Sequence, residues 1–291
     1  MQALGCALPP PLHNLARSKT DGIAFLHRQQ ALIATSSSIL IIGGGALGLQ
    51  YATDIASLYG TPSAPPSHLS DEFRPANARP GPKRVMLVHS RNSFLPLFAP
   101  EVGAEALRRL RELGVDVVLN EKLTALPSWD EEASWMSEGE GRGPKKVTLS
   151  DGRELEFDLL LRCTGQKPNS ALLQGLLPEA VNERGFVNVK PTTQVDAGPD
   201  APEWASKVFA VGDVADAGVI KAGHVGWAQG EVAARNVLNE IKRRQAHEAG
   251  VDVAVAPVTL EDYDKTPPMI HLTLGLVSSS HLITVSELAR L

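Results

Sequence analysis

The sequence predicts an α/β fold in which parallel strands alternate with helices, and three features of the first half of the chain point to it. Residues 39–42 are four consecutive aliphatic residues, the pattern of a parallel strand buried on both faces. A helix with one apolar face is predicted to follow and to run to about Tyr59. The alternation then repeats, with strands predicted at residues 85–88 and 115–119 and a helix at residues 101–113 between them.

Two segments flank these elements. Residues 18–34 carry apolar side chains at helical spacing, among them Ile23 and Leu26, and predict a helix that leads into the first strand. Residues 61–82 are rich in proline, serine and alanine and show little periodicity. We therefore expect a solvated insertion there, with no helix or strand.

The second half of the chain predicts a hairpin and then another strand–helix unit. Residues 147–149 and 155–157 flank an Asp-Gly turn, which is a strong hairpin signal, and we expect this β-hairpin, or a meander, as an insertion in the fold. An apolar run at residues 159–161 then leads to Cys163-Thr164-Gly165. Residues 208–211 predict another strand, and residues 223–244 a long helix with an apolar stripe.

Length and composition exclude several classes of protein. The chain has 291 residues, enough for about two domains, and 43% of them are hydrophobic, so a large core can form. Lys and Arg number 28 against 33 Asp and Glu, and no stretch is densely basic, so no nucleic acid partner is expected. The only cysteines, Cys6 and Cys163, exclude a CxxC redox pair, and no metal site is expected.

Targeting signals are equally sparse. No window approaches 18 uninterrupted apolar residues, so no transmembrane segment is expected. A reducing, cytoplasmic compartment fits the cysteine content best. Mitochondrial or membrane-surface association, and assembly into a homodimer, remain open from the sequence.

The glycine-rich segment Gly43-Gly44-Gly45-Ala46-Leu47-Gly48 directly follows the first strand and opens its helix. In a dinucleotide-binding turn the first glycine makes the tight turn, the second lets the backbone approach a pyrophosphate, and the third allows close helix packing. These roles fall to Gly43, Gly45 and Gly48. The alternative is a glycine-rich turn that binds nothing.

The end of the second predicted strand bears on the choice of nucleotide. A carboxylate at this point normally binds the ribose of NAD, but this chain has His89, Ser90 and Arg91 there. An arginine favours the 2′-phosphate of NADPH, because a guanidinium forms charge-assisted hydrogen bonds with phosphate. Use of NADH, or of both nucleotides, and a merely solvated arginine are the alternatives.

Four blocks, residues 39–55, 87–91, 163–169 and 208–214, resemble in order and spacing those of the two-dinucleotide-binding flavoproteins, the pyridine nucleotide-dependent FAD oxidoreductases. Within that family the chain is similar to the apoptosis-inducing-factor-like and ferroptosis-suppressor-like branch. The resemblance implies Rossmann-like FAD/NAD(P)-binding domains with parallel sheets. It also implies that Thr164-Gly165 closes the NAD(P) domain, and that Gly212-Asp213 is the second FAD motif, whose aspartate accepts a hydrogen bond from the ribityl chain.

The resemblance implies three parts: residues 1–34 as a remnant of the FAD domain with a connecting helix, residues 35–169 as the NAD(P)-binding domain, and residues 170–291 as the rest of the FAD-type domain and a tail. The family's first FAD motif has no counterpart in the sequence, so FAD retention is expected to be weak.

The implied activity is hydride transfer from NADPH or NADH to FAD, and then to a quinone-like or other small-molecule electron acceptor. No protein residue is assigned as catalytic, because the flavin carries the hydride chemistry in such enzymes. The competing interpretation is a non-catalytic NAD(P)-binding remnant without stable FAD.

Overall fold

The computed structural model describes residues 1–9, 12, 14–68, 70–76, 78–126, 128, 144–250, 259–265, 270–276 and 282–284. Contacts divide the chain into two compact units, which we call unit 1 (Met1–Ala7 and Gln166–Pro268) and unit 2 (Leu8–Gly165 and Met269–Leu291). The functional domain limits implied by the sequence, 1–34, 35–169 and 170–291, remain a prediction beside this division. No helix of the described part of the chain is long and apolar enough to cross a membrane.

Unit 2 is built on a four-stranded parallel sheet, which confirms the parallel α/β fold that the sequence predicts and adds one strand. Its helices are α1 (Lys19–Thr35), α2 (Ala46–Tyr59), α3 (Ser70–Phe73) and α4 (Pro100–Glu112). Its strands, after β1 (Cys6–Ala7) of unit 1, are β2 (Ser38–Ile42), β3 (Arg84–His89), β4 (Asp116–Leu119), β5 (Lys145–Thr148), β6 (Glu154–Phe157) and β7 (Leu159–Arg162). The sheet order is β4-β3-β2-β7, and each neighbouring pair is parallel.

The two faces of this sheet are covered by different elements. One face packs against α2 and α4 in a core that includes Ile41, Leu49 and Leu110. The other face packs against the antiparallel hairpin β5–β6, whose Phe157 is fully buried. Because both faces are covered, the central strand β2 is apolar on both sides, which is why residues 39–42 show no alternation.

Helix α1 forms where it was predicted, although several of its apolar side chains lie on an exposed side. Ser18 begins the helix by accepting a hydrogen bond from the Asp21 amide, whereas Ile23 and Leu26 are 44% and 55% exposed. Helical spacing identifies a helix but does not say which side another element covers. The end of α1 is held by buried Lys83, whose Nζ donates to the carbonyl of Ala34 at 2.9 Å.

The insertion at residues 61–82 is more ordered than expected. It contains the single helical turn α3, and Thr61 and Ala64 form an isolated antiparallel β-bridge. The Thr61 hydroxyl donates to the carbonyl of Leu113 at 2.9 Å. A turn of four residues lies below the length at which periodicity in a sequence can be read.

Unit 1 contains short strands and one long helix. Its other elements are β8 (Lys167–Pro168), α5 (Ala171–Leu176), β9 (Val187–Asn188), β10 (Ala215–Asp216) and α6 (Gly223–Glu248). Helix α6 confirms the predicted helix and extends it by four residues. The strand predicted at residues 208–211 does not pair continuously with a neighbouring strand. This buried segment forms only isolated β-bridges, between Phe209 and Gln194 and between Ala210 and Gln2.

The last described segments return to unit 2. Strand β11 (His271–Thr273) pairs with β12 (Leu282–Thr284), and Leu272 and Leu274 are fully buried in the core of unit 2. Gln50 of α2 donates to the Thr273 hydroxyl at 3.2 Å. The carboxylate of Asp54 accepts a hydrogen bond from the Gly275 amide, while burial raises the pKa of this carboxyl group to about 6.

Candidate functional site

The glycines at the two ends of the turn after β2, Gly43 and Gly48, leave no room for a β-carbon. Gly43 has φ of 103°, in the region that favours glycine, and its amide donates a hydrogen bond to the carbonyl of Val88 at 2.9 Å. A β-carbon there would clash with the carbonyl of Cys163, and a β-carbon on Gly48 would clash with the carbonyl of Gly43. These two glycines therefore let α2 start close against the strands.

Gly45 differs from both because space is open around it. It is the N-cap of α2, no side chain caps the helix there, and no atom lies within 4 Å of where its β-carbon would stand. The amides of the first helical turn, which begins with Ala46 and Leu47, have no acceptor within the helix. They carry the positive end of the helix dipole, so the open space suits an anion.

Gly44 is held by a histidine that the sequence assigned to the ribose. The Gly44 amide donates to His89 Nδ1 at 3.1 Å, so the ring proton lies on Nε2, which donates to the carbonyl of Ser93 at 3.2 Å. The His89 ring stacks on Phe94 with the centroids 5.4 Å apart. Burial lowers the pKa of His89, and the nearby charge of Arg91 lowers it further.

Both ring nitrogens of His89 are thus engaged inside the protein, and the neutral ring holds the glycine turn in place. Phe94 is a partner of this turn that the sequence alone does not identify. A β-carbon on Gly44 would clash with the rings of Phe94 and His89, so Gly44 is required by packing. No local sequence pattern signals this contact, since Phe94 is 50 positions from Gly44.

Ser90 and Arg91 follow β3 and are exposed. The carbonyl of Arg91 accepts a hydrogen bond from the Asn120 amide at 3.1 Å, which fixes the backbone of this loop. No described residue forms a hydrogen bond or ion pair with the Arg91 guanidinium. The side chain is therefore available for an anion at the carboxyl end of β3.

The turn after β7 lies at the same edge of the sheet. The amide of Cys163 donates to the carbonyl of Ile42 at 2.7 Å, and the Thr164 hydroxyl accepts from Arg162 Nε at 3.2 Å. Gly165 has φ of 69°. Since β2, β3 and β7 are parallel, the glycine turn, residues 89–91 and residues 164–165 all follow the carboxyl ends of strands in one sheet, where ligands of open α/β sheets bind.

Gly212 and Asp213 belong to unit 1. Gly212 has φ of 73°, and its amide donates to Gln229 Oε1 of α6 at 2.7 Å. The carbonyl of Asp213 accepts from the Cys6 thiol at 3.2 Å, and burial, the largest cause, raises the pKa of this thiol to about 11. The Asp213 carboxylate receives no hydrogen bond from the part of the chain that the structure describes.

Strand β1, at the start of unit 1, was not predicted from the sequence. Gly5 has φ of 63°, and strand β1 just after it pairs antiparallel with β8, just after Gly165. The sequence signal was slight: Gly5 and Gly165 are each followed within four residues by a proline, Pro9 and Pro168. Among the described residues, no group of histidine, cysteine and acidic residues could hold a metal ion.

Comparison with known proteins agrees with this geometry. Residues 3–230 match the model of the family described as pyridine nucleotide-disulphide oxidoreductase. The chain is 36% identical over 284 residues to Fe-regulated protein 8 of Mycosarcoma maydis, covering 94% of this chain and 58% of that protein. It is 27% identical over 221 residues to human ferroptosis suppressor protein 1, covering 75% of this chain and 50% of that one.

Among solved structures, a NAD-dependent persulfide reductase from A. fulgidus is 19% identical with a TM-score of 0.50, over 81% of this chain and 38% of that one, which shows the shared fold. This chain spans about half the length of the curated relatives that it matches. The family match covers most of the chain and includes all four blocks identified in the sequence. The chain therefore belongs to the pyridine nucleotide-disulphide oxidoreductase family, in the branch of the ferroptosis-suppressor-like and apoptosis-inducing-factor-like proteins.

Proposed function

We propose that the chain acts in an NAD(P)H-dependent flavoprotein oxidoreductase. Hydride would pass from the nicotinamide to FAD and the electrons then to a quinone-like or other small-molecule acceptor. The observation that carries the proposal is the open space at Gly45, which faces uncapped amides of α2 inside a turn whose other glycines are packed tightly. Family membership supplies the reaction class.

Different residues of unit 2 would have different roles in binding the nucleotide. Gly43 and Gly48 bring α2 against the sheet, and His89 fixes Gly44. The pyrophosphate would lie at Gly45 and accept hydrogen bonds from the amides of Ala46 and Leu47. Residues 164–165, at the end of the neighbouring strand β7, would border the nicotinamide end, because a dinucleotide lies across the strand ends of such a sheet.

We assign the choice between NADPH and NADH to Ser90 and Arg91, since both are exposed where the adenosine ribose is expected. Arg91→Ala should lower the affinity for NADPH about tenfold or more, equivalent to about 1.4 kcal/mol or more, and leave the affinity for NADH nearly unchanged. Titration calorimetry with both nucleotides measures this. Arg111→Ala, which removes another exposed arginine of unit 2, is the matched control. Equal losses for both nucleotides would refute the assignment.

The residues present also fit part of an FAD site. FAD, when bound, supplies the two-electron chemistry by accepting hydride and passing electrons on. The Asp213 carboxylate, which no described residue engages by a hydrogen bond, would accept one from a ribityl hydroxyl. Gly212 leaves open space beside it, since no atom lies within 4 Å of where its β-carbon would stand.

Asp213→Ala should therefore weaken FAD binding about tenfold, measured by quenching of flavin fluorescence as the full chain is titrated into FAD. Asp262→Ala, which removes an exposed carboxylate elsewhere in unit 1, should bind like the wild type. If the wild-type chain binds NADPH but quenches no flavin fluorescence, the oxidoreductase proposal fails for this chain and nucleotide binding alone remains.

A further inference from the structure

Residues 270–275, which we call the strap, lie against α2 and α4 of unit 2. Leu272 and Leu274 of the strap are fully buried in the core of this unit. Gln50 of α2 donates a hydrogen bond to the strap at 3.2 Å, and Arg109 of α4 donates to the carbonyl of Leu274 at 3.2 Å. A few contacts therefore hold the strap in place, and they reach both helices.

The strap also covers polar groups of α2. The amide of Gly275 forms a hydrogen bond with the Asp54 carboxylate. A β-carbon on Gly275 would clash with the Ser57 hydroxyl oxygen and lie 3.4 Å from the carbonyl of Thr53, so no space separates this part of the strap from α2. The Ser57 hydroxyl is buried and has no hydrogen-bond partner among the described residues. The docked strap thus reduces the access of water to Asp54.

No ion pair compensates the charge of Asp54 within the described part of the chain. Helix α4 carries Arg109, whose guanidinium lies 3.5 Å from the carboxylate of Glu112, α3 carries Asp71, and the strap carries His271. None of these groups forms an ion pair with Asp54. Burial without a cation disfavours the charged form of a carboxyl group.

This environment is reflected in the pKa of Asp54. Burial raises that pKa from its usual value of 3.8 to about 6, and the hydrogen bond from Gly275, which favours the charged form, offsets the rise only in part. When the strap leaves α2, the carboxyl group returns to water and its pKa falls towards the usual value. The charged form of Asp54 therefore favours the released strap.

We propose that docking of the strap on α2 is controlled by pH, with the strap held firmly in acidic solution and released more often at neutral pH, where Asp54 beneath it is charged. Because the pKa is higher in the docked state, docking is strongest below about pH 4, weakens as the pH rises to about 6 and is constant above that. Between pH 5 and pH 7.5 the equilibrium constant for release should increase about tenfold.

The test is hydrogen–deuterium exchange of the full chain at pH 5 and at pH 7.5. Mass spectrometry of peptides that contain the strap gives its exchange rate, which is divided by the intrinsic rate at each pH to give a protection factor. The wild-type strap should be protected about tenfold less at pH 7.5 than at pH 5.

Three variants separate Asp54 from other causes. Asp54→Asn has no charge at either pH and nearly the same shape, so its strap should be equally protected at both. Asp71→Asn, which makes the same change at an exposed carboxylate of unit 2, should keep the tenfold loss. Gly275→Ala should leave the strap poorly protected at both pH values, because the β-carbon would clash with Ser57 and φ of 101° disfavours alanine.

Three outcomes would overturn the proposal. The first is a wild-type strap whose protection is the same at both pH values or greater at pH 7.5. The second is an Asp54→Asn strap that keeps the tenfold loss, which would assign the effect to another group such as His271, since histidine also titrates in this range. The third is a Gly275→Ala strap protected like the wild type, which would mean that the strap does not rest on α2.

Discussion

Gly45→Val is expected to abolish NAD(P)H binding, by at least a hundredfold, while leaving the fold intact. The valine side chain has open space around it and φ at this position is −76°, which any residue adopts. The same side chain would occupy the space in which the pyrophosphate must approach the amides of α2. Titration calorimetry with NADPH measures the loss, and circular dichroism checks the fold.

Gly175→Val is the matched control for this result, because Gly175 also has no atom within 4 Å of its β-carbon position but lies in α5 of unit 1. It should bind NADPH with wild-type affinity. If folded Gly45→Val protein keeps its affinity for NADPH, the segment after β2 is only a turn and the proposed function loses its main support.

Gly48→Ala, unlike Gly45→Val, should destabilise the fold of unit 2 strongly. The added β-carbon would clash with the carbonyl oxygen of Gly43, and a backbone atom cannot move away by changing rotamer. We expect a loss of about 3 kcal/mol or more in the free energy of unfolding, or roughly 6 to 12 °C in melting temperature. Urea unfolding followed by circular dichroism measures it.

Gly45→Ala provides the internal comparison, since it adds the same methyl group to the same turn in open space. It should unfold within about 0.5 kcal/mol of the wild type. A Gly48→Ala protein as stable as Gly45→Ala would show that α2 can shift away from the strands at little cost, and that the packing role assigned to Gly48 is wrong.

The sequence predicted the parallel sheet and the glycine turn because both depend on residues that are neighbours in the chain. Residues 39–42 and the glycines after them form one continuous pattern, and the structure confirms the strand and the helix that follows. The fold class could therefore be read without knowledge of distant contacts.

The remaining features depend on contacts between residues far apart in the chain. His89 was interpreted as a residue that meets the ribose, yet its ring holds the Gly44 amide 45 positions away. The exposed side of α1 and the isolated β-bridge of Phe209 likewise depend on which distant elements pack against these segments. No periodicity encodes such neighbours, so these features could not be predicted from one sequence.

The return of residues 270–275 to unit 2 has a consequence for folding during synthesis. Leu272 and Leu274 complete a core whose other members lie before Gly165, and the 103 residues of Gln166–Pro268 are made in between. At about 5–20 residues per second, a ribosome needs roughly 5–20 s to synthesise them. During that interval the apolar surface of unit 2 that Leu272 and Leu274 cover has no partner, and exposed apolar surface of this kind makes a folding intermediate prone to aggregation.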